Sequence, residues 1–227
     1  MNLGELKTEV AALVNWSWAG DDARIRTYAN LRCRHIFNDN PRLGIFKKLY
    51  TVNTADGTSE YNLPHDFGVP IQMYRFTDDT LYPVTFIGEI DTTKNIPGVL
   101  DSANEGTPNG WLLWPGTQPG VRKFQLVPTP DDAYEIRLNY YAEPEELSAV
   151  GHTNAVSYHM PQVLINAIVA DLAAADGYLE ESIFFEQKAE RFLQAFISKD
   201  WKQRLGSEGI DRRQSKYGAG RTRERGR

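Results

Sequence analysis

Two stretches that stand close together, YEIRLNYYA (134–142) and MPQVLINAIVADLAAAD (160–176), read in different periods. In the first, Tyr134, Ile136, Leu138 and Tyr140 alternate with Glu135, Arg137 and Asn139, the pattern of a strand with one dry face and one wet face. The second opens with Pro161 at a first-turn position and is apolar on nearly every side, so it reads as a helix that other helices or a neighbouring chain must cover. A sheet that hands over to helices makes the fold class α+β.

Upstream of the first stretch, period 2 and dense Pro, Gly, Asn and Asp punctuation extend back to Lys48. KLYTVNT and SEYNLP flank ADGT, which predicts a β-hairpin turning at Asp56 and Gly57. VPIQMYRF, LYPVTFI, WLLWPG, RKFQLVP and YEIRLNYYA supply five more strands, and seven short strands suggest a small antiparallel sandwich or barrel. A long loop is expected at 91–110. Before the strands, Leu3, Leu6, Val10 and Leu13 make one stripe of a first helix, and Asp21 or Asp22 opens a second helix carrying Ile25, Tyr28 and Ile36, the two forming a helical hairpin. After Pro161 a fourth helix, about 180–202, places Phe185, Ala189, Phe192 and Phe196 on one stripe. The expected organisation is a four-helix layer from 1–47 and 155–202, an inserted β domain at 48–142, and an extended basic C-terminal arm at 203–227.

The 227 residues, 41% hydrophobic and 11% aromatic, are ample for a core. No run approaches the roughly 18 to 20 apolar residues of a membrane span, and MNLGELKTEV lacks the order of a signal peptide, so synthesis in the cytoplasm is expected. The net charge of −5 hides a polarity: nine basic residues face three acidic ones from Lys202 onward, leaving 16 against 27 in the body. An acidic body argues against the basic face of a nucleic-acid binder and suits a surface that must not retain DNA.

Catalytic signatures are scarce. The chain has no Walker loop, no GxGxxG after a strand, no GxSxG elbow and no CxxC pair. His35, His65, His152 and His159 are scattered without metal-ligand spacing, so no metal or other cofactor is expected. The single Cys33, in NLRCRHIF, reads as a small apolar filler of a helix. EPEEL and PDD could furnish two carboxyls for glycoside hydrolysis, but thirty acidic residues make such pairs unavoidable. Trp111 and Trp114 lie three apart in a strand and point to opposite faces, which favours core filling over a sugar platform. In YNLPHDF (61–67), Pro64 ends a strand, His65 and Asp66 make the turn and Phe67 folds back.

In order, LGELKTEV, a second helix entered at Asp, YTVNTADGTSEYNLPHDF, LVPTPDDAYEIRLNYYAEPEEL, MPQVLINAIVADLAAA and an amphipathic last helix resemble the head-to-tail adaptor, or head completion, proteins of tailed, especially short-tailed, bacteriophages. The resemblance covers about residues 3–200. It implies a homo-oligomeric ring, usually of twelve copies, beneath the portal protein of the capsid. Such a ring presents a platform to a tail or nozzle protein and passes genomic DNA through its channel without sequence-specific binding.

Combined with the residues themselves, this gives a structural virion protein with no enzymatic activity. Ring contacts are expected on the third helix through Leu164, Ile168 and Leu172, and tail contacts on the β insert, with loop 91–110 as an adaptable gasket. The basic arm, with Arg212, Arg213, Lys216, Tyr217, Arg221 and Arg223, is expected to dock onto the portal. A nucleic-acid-binding module using that arm, or a virion-associated cell-wall hydrolase, are the alternatives.

Overall fold

The computed structural model describes residues 1–14, 22–89, 105–114 and 122–218, with 205–218 as backbone alone. The expected gasket at 91–110 therefore lies largely outside the described residues. The chain forms two compact units, Met1–Cys33 with Glu146–Arg227, and Arg34–Glu145.

The first unit is helical. Helix α1 (Leu3–Leu13) starts with a capping box, in which the Asn2 side chain accepts from the Glu5 backbone and the Glu5 carboxylate accepts from the Asn2 backbone. Its buried stripe is Leu3, Leu6 and Val10, and Leu13 is exposed. Helix α2 (Asp22–Asp39) contributes Ile25, Ala29 and Cys33 to this unit's core. A short helix, α3 (Ala155–His159), precedes α4 (Pro161–Ala175), which Pro161 opens. Ten of its fifteen residues are buried, against α1, α3 and the long α5 (Leu179–Gly218).

The turn from α4 to α5 needs only Asp176, Gly177 and Tyr178. Gly177 takes φ +85°, its amide donates to the Ala174 carbonyl, and the Tyr178 amide reaches back to Ala173. That left-handed cap is open to glycine at little cost, and it makes α4 and α5 antiparallel neighbours. Helix α5 runs forty residues, to Gly218, so the arm expected to be extended from 203 is helical through 218. Arg, Lys, Gln and Glu are good helix formers, which apolar content alone does not reveal.

The second unit carries seven strands: β1 (Lys47–Asn53), β2 (Glu60–Asn62), β3 (Phe67–Thr77), β4 (Thr80–Glu89), β5 (Gly110–Trp114), β6 (Lys123–Val127) and β7 (Glu135–Ala142). They form one sheet in the order β1-β7-β3-β4-β5-β6-β2. β4 pairs with β3 through Thr80–Val84 and with β5 from Thr85 onward, so it hands one half of the sheet to the other. The sheet curls, and the Tyr50 hydroxyl of β1 donates to the Asn62 carbonyl of β2, linking its first and last strands. Ile136, Leu138, Tyr140 and Ala142 of β7 enter the core with Trp111, Phe124, Leu126 and Met73.

Two pairings differ from the expectation of an all-antiparallel β domain. β4 and β5 are parallel. β1 and β2 are not a hairpin: β1 pairs with β7 over seven residues, and β2 with β6 over three. The turn itself is present, with Gly57 at φ +70° and the Thr58 amide on the Ala55 carbonyl. What redirects the chain is the fastening of that turn to the segment before β7. The Thr54 amide donates to the Tyr134 carbonyl, the Thr54 hydroxyl to the Asp132 carbonyl, and the Gly57 amide to Pro130. The tight hairpin is instead β3–β4, where Asp78 and Asp79 both take positive φ, the geometry of a two-residue turn with mirror-image twist.

Gly68 is a close approach. A Cβ there would lie 2.5 Å from Phe37 Cζ and 2.8 Å from the Tyr141 carbonyl oxygen, and backbone cannot yield as a flexible side chain can. Gly68→Ala is expected to lower stability by about 1–3 kcal/mol in urea unfolding, while Gly151→Ala, with open space around it, stays within ~1 kcal/mol of the parent.

Candidate functional site

The structure places the sequence-derived site residues far from uniformly. Leu164, Ile168 and Leu172 are at most 1% exposed, covered by this chain's own helices. Within one copy these three side chains are interior, so a ring contact through them would require the covering helices to part. An all-round apolar helix signals only that cover is needed, and here the chain supplies it. Arg212, Arg213, Lys216 and Tyr217 lie on the last turns of α5, and Arg221 and Arg223 lie outside the described residues.

Among the described residues, no three of His, Cys, Asp and Glu are grouped as a metal site. The His152 ring meets the Ser148 hydroxyl, and His159 packs edge-on against Tyr158. Cys33 is buried against the Asn154 side chain, and that burial pushes its thiol up to about 11, far from a reactive thiolate. Trp111 is core, edge-on to Phe124 and tilted against Phe86.

Two charged clusters fasten the units internally. In the helical unit, the Arg32 guanidinium donates from Nε and Nη2 to both Asp171 oxygens at 2.7 Å, and from Nη1 and Nη2 to both Glu186 oxygens at 2.9 and 2.7 Å. One planar fork thus ties α2 to α4 and α5, a task a lysine could not repeat. In the β unit, the turn of YNLPHDF buries Asp66, which accepts from Lys48 Nζ at 2.7 Å and from the Tyr140 hydroxyl at 2.9 Å. Burial raises the Asp66 carboxyl, but the Lys48 and Tyr140 hydrogen bonds outweigh it and hold the group below its ordinary value. Burial and the same carboxylate push the Tyr140 hydroxyl well above the tyrosine range, so it remains a donor. Strand alternation marks Tyr140 as inward, but only the fold brings Lys48, Asp66 and Tyr140 together.

The unsatisfied surfaces are apolar. On α5, Leu179, Ile183, Phe184 and Trp201 are 65, 59, 60 and 59% exposed. On β4, Leu81, Tyr82, Phe86 and Ile87 are exposed as well. The signal for the first group was present in IFFEQ (183–187): Ile183, Phe184 and Phe185 are consecutive and span about 200° of helix, so one stripe cannot bury them all.

Among the described residues the prominent chemistry lies in exposed apolar and charged surfaces. The family described as SU10 adaptor protein matches residues 1–224, and the chain belongs to that family. It is thereby a structural adaptor of the bacteriophage class. Comparison with curated proteins finds no match.

Removing the buried charge tests the β-unit cluster. Asp66→Asn keeps the shape but turns an amide donor toward Lys48 or Tyr140, and is expected to cost about 1.5–3 kcal/mol at pH 7. Because the folded carboxyl titrates lower than the unfolded one, its contribution is complete above the unfolded value of about 3.9 and is lost as pH falls through the lower folded value. Urea unfolding of both proteins from pH 7 down to acid should show the gap closing only at that acid end.

Proposed function

We propose that the chain is a head-to-tail adaptor of the virion neck, a ring of copies, twelve as the resemblance implies, that joins the portal protein of the capsid to a tail or nozzle protein. Family membership across residues 1–224 carries this reading. The role is architectural rather than enzymatic. Genomic DNA passes through the channel without being held, and the excess of acidic residues in 1–201 supports that passage, since like charge repels the phosphate backbone.

The helical parts, 1–47 and 155–202, serve the ring, and the β insert, 48–142, offers itself to the tail. The exposed Leu81, Tyr82, Phe86 and Ile87 of β4 support the second assignment, because large apolar side chains left in water are available for a protein contact. The basic end of the chain docks onto the portal through Arg212, Arg213, Lys216, Tyr217, Arg221 and Arg223. Arginine forks suit carboxylates and carbonyls of a protein groove, and Tyr217 supplies an apolar anchor.

Deletion of residues 206–227 tests this. Among the residues whose burial is described, the hydrophobic core runs from Leu3 to Ala189, and the shortened chain is expected to stay folded by circular dichroism and to lose attachment to purified portals. Undiminished docking would remove the arm from the portal contact. If the deletion instead abolishes only a salt-sensitive affinity for DNA, the arm is a phosphate binder.

A further inference from the structure

Arg75 of β3 stands where strand alternation would place an apolar residue. It pairs directly with Tyr82 of β4 and with Ile136 of β7, and directly paired side chains share a face of the sheet. Ile136 is fully buried, as is Met73 two residues before Arg75, so the arginine belongs to the core-facing side, close to the β3–β4 turn. Its guanidinium carbon lies 5.0 Å from the centre of the Tyr82 ring and 5.4 Å from that of Tyr134. The Tyr134 ring is held in turn, its hydroxyl donating to Asp131 at 2.8 Å and meeting the Thr107 hydroxyl at 3.2 Å.

The two rings attract the cation, but ring faces are weak acceptors for its N–H groups. The Arg75 Nε is buried with no hydrogen-bond partner. Nη1 and Nη2 are not enclosed in that way, and no hydrogen bond or ion pair among the described residues engages them. The other half-buried arginines of the described residues are all held by carboxylates: Arg24 by Asp176, Arg32 by Asp171 and Glu186, Arg137 by Glu135 and Arg204 by Asp200. A buried donor left unpaired costs stability, and the fold gains no ion pair from this one.

We infer that Arg75 is a carboxylate-binding site, its Nη fork taking the side chain of an aspartate or glutamate offered by another polypeptide. The fork matches the two oxygens of a planar carboxylate. A single guanidinium, with Asp131 bonded to the neighbouring Tyr134, suits one negative charge better than a doubly charged phosphate. The excess of acidic residues over 1–201 likewise opposes a nucleic-acid backbone. Tyr82, 44% exposed, leaves apolar surface beside the fork for the methylene stem of the incoming residue. This goes beyond the adaptor reading and does not rest on it.

Chemical modification of the full chain tests the site. p-Hydroxyphenylglyoxal reacts with guanidinium groups whose nitrogens are free, and mass spectrometry of chymotryptic peptides reads each arginine separately. Arg75 is expected to react faster than Arg32. N-acetyl-glutamate amide, which mimics a glutamate within a chain, should slow Arg75 saturably, about elevenfold at ten times its dissociation constant. Arg191, exposed on α5, should keep its rate, and N-acetyl-glutamine amide should have no effect. An Arg75 as slow as Arg32 without ligand would mean that the fork is already held, which overturns the site. Equal slowing by the glutamine analogue, by sodium chloride at the same ionic strength, or at Arg191 would overturn carboxylate recognition. Protection by inorganic phosphate at lower concentration than by the glutamate analogue would overturn it in favour of a phosphate ligand.

Discussion

The constraint on which the helical unit depends is the cover of α4. Ten buried residues in a fifteen-residue helix leave no side for water, so α1, α3 and α5 are arranged around it. The Asn2 capping box starts α1 in place, the Gly177 cap folds α5 back along α4, and the Arg32 fork ties α2 to both. Because α4 is already covered, the exposed apolar side chains of this unit lie on other elements, among them Leu179, Ile183, Phe184 and Trp201 of α5.

Much of the fold was legible because it is local. The alternation of β7 appears as a buried Ile136, Leu138, Tyr140 and Ala142, and all seven strand segments are strands. Pro161 opens a helix, and the 3.6 period of α1 holds except at Leu13. Strand partners were not legible, because pairing is decided by segments far apart in sequence. Asp56 and Gly57 have hairpin chemistry, yet β1 gains a seven-residue ladder with β7 where the three-residue β2 could give only a short one. The helical backbone beyond residue 202 was missed because its side chains favour helix without offering a core.

The site was less legible than the fold. Leu164, Ile168 and Leu172 are buried as their apolar chemistry demands, but hydrophobicity says that a face is covered and not by whom. The Asp66 cluster depends on two strands and a turn meeting, which no spacing announces.

The central claim is that this chain occupies the joint between capsid and tail. Electron microscopy of mature particles at a resolution that traces side chains tests it most directly. The account predicts a closed ring of this chain between portal and tail, its basic C-terminal segment against the portal and its β unit facing the tail. Density for this chain elsewhere in the particle, or a neck in which portal and tail meet without it, would contradict the account.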